Sequence, residues 1–97
     1  MAFDSIHNYY ERLVLEHILE LRSGALANED EDFLSDVACV ALNQLPSRYV
    51  RHNVDMVFYM TPQERAQMEQ EVINAVNMAI GYINKHRGDE RPETISG

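Results

Sequence analysis

The residues best equipped for chemistry lie close together, in Arg48-Tyr49-Val50-Arg51-His52 followed by Asn53 and Asp55. This stretch brings two guanidinium groups, a phenol ring, an imidazole and a carboxylate into one short segment. In an extended backbone alternate side chains face opposite ways, so Arg48, Val50 and His52 share one side and Tyr49 and Arg51 the other. A guanidinium can chelate a phosphate or the O6/N7 edge of guanine, and a tyrosine ring can stack on a base. An aspartate can accept from guanine N1–H and N2–H2. Together they suit a purine nucleotide. The same residues also suit a plainer role, as an edge segment whose charges deter aggregation.

Other chemistry finds little support. The four histidines, His7, His17, His52 and His86, fall in separate segments, and no Cys-x-x-Cys or His-Glu-x-x-His spacing occurs, so no metal site is expected. His17 lies on an apolar stripe and reads as a partly buried histidine with a satisfied ring, not as a ligand. His7 and Glu11 are one helical turn apart, but a single pair is not a site. The lone cysteine, Cys39, sits among Val37, Ala38, Val40 and Ala41 and is expected to pack in the core as a small hydrophobe, with its thiol pKa raised. The glycines Gly24, Gly81, Gly88 and Gly97 are isolated, so no phosphate-cradling loop exists. The acidic run from Asn28 to Asp32, around Asp30, leads into a helix and reads as capping and solvation, not as catalytic. No catalytic apparatus and no cofactor are expected, and the chain reads as a binding protein.

Composition sets further bounds. A chain of 97 residues fits one domain, and a hydrophobic content of 45% allows a packed core. Sixteen acidic against eight basic side chains give a net charge of −8. DNA affinity comes largely from cations that displace phosphate counterions, so DNA is an unfavourable partner. Among the basic residues only Lys85 is a lysine and the rest are arginines, which favours bidentate contacts or surface ion pairs over diffuse attraction. No apolar run is long enough to span a membrane. The opening Met1-Ala2-Phe3-Asp4 lacks the basic and apolar regions of a secretion signal. With one unpaired cysteine, this predicts a soluble protein of the reducing cytoplasm that makes no use of a membrane.

Hydrophobic periodicity supplies the elements that must position the arginine segment. From about Ser5 to Arg22, Ile6, Tyr10, Leu13, Val14, His17, Ile18 and Leu21 recur at helical spacing, with Asp4 or Ser5 as cap and Ser23-Gly24 as stop. A second helix over about Asp32 to Gln44 gathers Leu34, Val37, Ala38, Ala41, Leu42 and Leu45, and its small alanines permit a close neighbour. Pro46 stops it and biases Leu45 away from helical angles. Pro46 to Met60 is the irregular region. There Val54, Met56 and Phe58 alternate as in a short strand, which must pair with another segment or with a second copy of the chain. Thr61-Pro62-Gln63-Glu64 is a capping box that opens a third helix, with Met68, Val72, Ile73, Val76, Ala79, Ile80 and Ile83 on its apolar face. Lys85, His86 and Arg87 suit its C-terminus, Gly88 its stop, and residues 88–97 a disordered tail. The expected fold is mostly α, a small single domain of three main helices with a short extended segment between the second and third.

The run Val37-Ala38-Cys39-Val40-Ala41-Leu42-Asn43-Gln44-Leu45-Pro46-Ser47-Arg48-Tyr49-Val50 resembles the helix-ending signature of the late-competence ComFB family, ALNxLPPRYV. Asn8-Tyr9-Tyr10-Glu11-Arg12-Leu13-Val14 is similar to that family's Asn-x-x-Glu-x-x-Val opening. Ser47 departs from the pattern, which has a second proline there, and Cys39 stands alone where some relatives carry a cysteine cluster. The resemblance covers about residues 5–85 and makes residues 5–87 a ComFB-like helical domain. It implies a non-enzymatic, dimeric receptor for a cyclic dinucleotide, cyclic di-GMP favoured, that signals to competence, pilus or cell-surface functions through an unknown downstream protein. The signature positions carried over are Leu45, Pro46, Arg48, Tyr49 and Val50. On that view Arg48 and Arg51 hold phosphate or a guanine edge, Tyr49 stacks, and His52 or Asp55 completes base recognition, the roles of Arg51, His52 and Asp55 resting on adjacency and chemistry. The alternative is a dimeric protein-interaction adaptor in DNA uptake with no small ligand, motivated by the apolar stretch Val57-Phe58-Tyr59-Met60.

Overall fold

A computed structural model describes residues 3–52 and 59–96, with side chains described as far as Arg87. Its elements run in the order β1 (His7–Asn8), α1 (Tyr9–Arg22), α2 (Glu31–Gln44), β2 (Tyr49–Val50) and α3 (Pro62–Ser96). The fold is mostly helical, as the periodicity predicts, with three helices and a two-stranded antiparallel ladder among the described residues.

Each helix buries the face that its sequence marks. Tyr10, Val14 and Ile18 recur one turn apart on α1, Phe33, Leu34, Val37, Ala38 and Ala41 line α2, and α3 contributes Met68, Val72, Ala75, Val76, Ala79 and Ile83. Val14, Val37 and Val76 are fully buried, one from each helix, and mark the centre of the core. The most extensive contact joins α2 to α3, where the buried alanines Ala41, Ala75 and Ala79 add little bulk. His17 is half-buried, with its Nδ1 3.8 Å from Glu20 Oε2, which agrees with a partly buried histidine.

Local chemistry sets the helix ends. Asp30 caps α2, its Oδ1 accepting from the Phe33 amide at 2.8 Å, while Glu31 and Asp32 place negative charge in the first turn. At the other end Leu45 adopts φ −102° and ψ 146°, the extended conformation that the following Pro46 demands. Thr61 Oγ1 accepts from the Glu64 amide at 3.1 Å, the forward arm of the capping box that opens α3. Ser23 closes α1, its amide donating to the Glu20 and Leu21 carbonyls.

Four expectations need correction. The cap of α1 is Asn8 and not Asp4 or Ser5, because the chain is still paired as β1 at His7–Asn8 before it turns into helix. Ile6 therefore precedes the helix, does not share its stripe and is 46% exposed. Cys39 is exposed and not core: α2 turns residues 34, 37, 38 and 41 inward, and residue 39 falls outside that arc. Finally, α3 passes Gly88 and continues through Ser96, so Gly88 is not the stop of the third helix. One glycine costs a helix only about 1 kcal/mol relative to alanine, which is too little to force a stop. The alternating stretch Val54-Met56-Phe58 and Asp55 lie outside the described residues.

Candidate ligand site at the arginine loop

The segment after Pro46 is held by backbone pairing to the start of α1. His7 pairs with Val50 and Asn8 with Tyr49. The next rung follows, the Tyr9 amide donating to the Arg48 carbonyl at 2.7 Å. Asn8 then joins cap and loop through one atom: its Oδ1 accepts from the Tyr10 amide at 3.2 Å and from the Arg48 amide at 2.9 Å. Both backbone polar groups of Arg48 are therefore tied to the first turn of α1. Its position is fixed although its side chain is exposed.

The alternation read from the sequence holds along this strand. Val50 is half-buried and packs on the core, and Tyr49, facing the other way, is 68% exposed. Arg48, on the same side as Val50, borders a cleft of about 270 Å³ between the loop and α3. Pro46, Met60 and Met68 give the cleft apolar walls, and Tyr10, Glu64 and Glu71 bring polar groups into it. The Tyr10 hydroxyl donates to Glu71 Oε2 at 2.8 Å. Burial, and then that hydrogen bond and the Glu71 charge, push the Tyr10 pKa up to about 12, while the positive charge of Arg48 pulls the other way. Tyr10 is thus a neutral donor at physiological pH, and Glu71 is held as an acceptor.

The Arg48 guanidinium forms no ion pair among the described residues, although Glu64 and Glu71 border the same cleft. The cleft therefore gathers an uncommitted cation and two carboxylates in its lining. Of the site residues that the sequence singles out, only Arg48 lines it. Tyr49, Arg51 and His52 are exposed on the adjacent stretch and outside the lining, and Asp55 is not among the described residues. Sequence reasoning missed Tyr10, Glu64, Gln67 and Glu71. Tyr10 reads as ordinary core. The available signal for Glu71 was its position directly before Val72, at the edge of the apolar face of α3.

Among the described residues no cluster of histidine, cysteine, aspartate and glutamate is arranged to hold a metal ion, and no helix is long and apolar enough to cross a membrane. Fold and site together define a small three-helix domain in which a proline-ended helix presents a clamped arginine beside a cleft. The chain matches the family described as late competence development protein ComFB over residues 7–87, and it belongs to that family. No curated protein and no solved structure matches it.

Proposed function

We propose that this chain is a non-enzymatic receptor for a cyclic dinucleotide, cyclic di-GMP favoured, within a competence-related family. The observation that carries the reading is Arg48: its backbone is fastened through Asn8 and Tyr9, it lines a cleft, and its guanidinium forms no ion pair among the described residues. A cleft of about 270 Å³ takes one base and not a whole dinucleotide, so the rest of the ligand lies over the exposed stretch that carries Tyr49, Arg51 and His52. With a net charge of −8 the protein repels a dianion at long range. Capture then depends on short-range, charge-assisted contacts. The proposed assembly is a homodimer in the cytoplasm that passes its signal to a downstream protein.

A thermal-shift screen with cyclic di-GMP, cyclic di-AMP and GTP tests this directly, because a ligand that binds only the folded state raises its melting temperature. A shift with a cyclic dinucleotide supports the receptor. A flat response to all three ends it.

A second reading, an interaction adaptor without a small ligand, is favoured by one observation. An apolar groove of about 500 Å³ lies between α1 and α2, lined by Leu15, Leu19, Leu34, Ala38 and Cys39, and Leu19 is 59% exposed. Light scattering that finds only a monomer at micromolar concentration would count against self-association there.

A further inference from the structure

We infer that Glu71 is the residue that makes the Arg48 cleft select guanine over adenine, an inference that rests on the cyclic-dinucleotide reading. The charges in the cleft decide what part of such a ligand it can take. Arg48 faces two carboxylates, Glu64 and Glu71, so the cleft carries an excess of negative charge and repels a phosphate group. A neutral base meets no such penalty. Pro46, Met60 and Met68 supply apolar walls that accept the faces of a flat ring.

The polar groups then read the edge of that base. Glu71 Oε2 already accepts from the Tyr10 hydroxyl at 2.8 Å, which orients the carboxylate, and Oε1 has no hydrogen-bond partner among the described residues. An oriented carboxylate matches guanine, whose N1–H and N2–H2 are adjacent donors. Adenine presents an acceptor at N1 and no amino group at C2, so the same carboxylate faces a lone pair. Arg48 reinforces the choice from the other side, since a guanidinium pairs with the two acceptors O6 and N7 of guanine and meets a donor at N6 of adenine. Tyr10 is a positioning residue. It is 4% exposed, stays protonated and commits its hydroxyl proton to Glu71.

The test compares affinities for cyclic di-GMP and cyclic di-AMP in the wild type, Glu71→Gln and Tyr10→Phe. Glu71→Gln keeps an oxygen that can accept from Tyr10, so the fold is retained, and a melting curve checks it. Its amide places a donor where guanine also donates. The wild type is expected to prefer cyclic di-GMP, and Glu71→Gln to reduce that preference by about tenfold or more. Tyr10→Phe frees the carboxylate to turn and is expected to weaken binding and to reduce the preference for guanine, by less than Glu71→Gln does. A wild type that binds both ligands equally, or a Glu71→Gln protein with an unchanged ratio, overturns the role of Glu71 and leaves the receptor reading standing. A wild type that binds neither ligand ends the receptor reading itself.

Discussion

The Tyr10 hydroxyl and Glu71 Oε2, 2.8 Å apart, join the first turn of α1 to α3 across 61 positions of sequence. The bond lies directly beneath the cleft that Arg48 borders, so one contact both braces the helices and shapes the candidate site. Replacing Tyr10 with phenylalanine keeps the buried ring and removes only the donor. Tyr10→Phe is expected to lower stability by about 1–2 kcal/mol in urea denaturation at neutral pH, the usual range for a hydrogen bond to a charged acceptor that water can partly replace.

The same tyrosine predicts an alkaline weakness. Its folded pKa is raised from 10.0 to about 12, chiefly by burial. The folded state therefore holds the proton more tightly than the unfolded chain does. This contribution is complete below about pH 10 and is lost as the pH climbs towards 12. At one pH unit per ~1.4 kcal/mol, and discounted because the hydroxyl opens onto a solvent-accessible cleft, the loss is on the order of 1–2 kcal/mol. Denaturation of wild type and Tyr10→Phe side by side between these limits isolates the effect: the gap between them should narrow or reverse as the pH rises. A gap of constant size would contradict it.

Asn8 is a single acceptor serving two amides, those of Tyr10 and Arg48. Asn8→Ala is expected to cost about 1–2 kcal/mol, the range for removing a helix cap, and to speed hydrogen exchange at the Arg48 amide. Asn8→Asp keeps an acceptor oxygen and should lose much less. Equal stability of the alanine and aspartate variants would show that the shared oxygen does not hold the loop.

Arg87 reaches from α3 to the start of α2, its Nη1 3.2 Å from Glu29 Oε1 and its guanidinium carbon 4.6 Å from the centre of the Phe33 ring. Arg87→Ala is expected to lower stability by about 1 kcal/mol, and Arg87→Lys by about half as much, since lysine keeps the charge but not the planar contact. Thermal unfolding of the two variants measures the difference.

These contacts also show what the sequence could and could not disclose. The three apolar faces, the Asp30 and Thr61 caps and the stop at Pro46 were legible because each depends on residues within a turn or two of one another. Alternation around Tyr49 was legible for the same reason. Asn8 could have been found, since it stands three residues before Glu11 in the pattern of a capped helix. Its second partner, Arg48, could not, because a tertiary contact fixes it. Arg87 looked like a charge suited to the end of a helix, but the helix runs on and the side chain packs on Phe33 instead. Cys39 was misplaced because the apolar run from Val37 to Leu42 covers more than one turn of α2, and composition alone does not say which arc faces inward. Glu71 became a site residue only once α3 was laid beside the arginine loop.

Arg48, set by Asn8 and Tyr9, is proposed to capture a cyclic dinucleotide at the cleft. Calorimetric titration of wild type and Arg48→Ala with cyclic di-GMP at low and moderate salt decides this. Saturable binding by the wild type is expected, holding or strengthening as salt screens the protein's net negative charge, and an Arg48→Ala protein of unchanged melting temperature is expected to lose affinity by a free energy of about 1.5–3 kcal/mol. No heat with the wild type, or equal affinity in the two proteins, would contradict it.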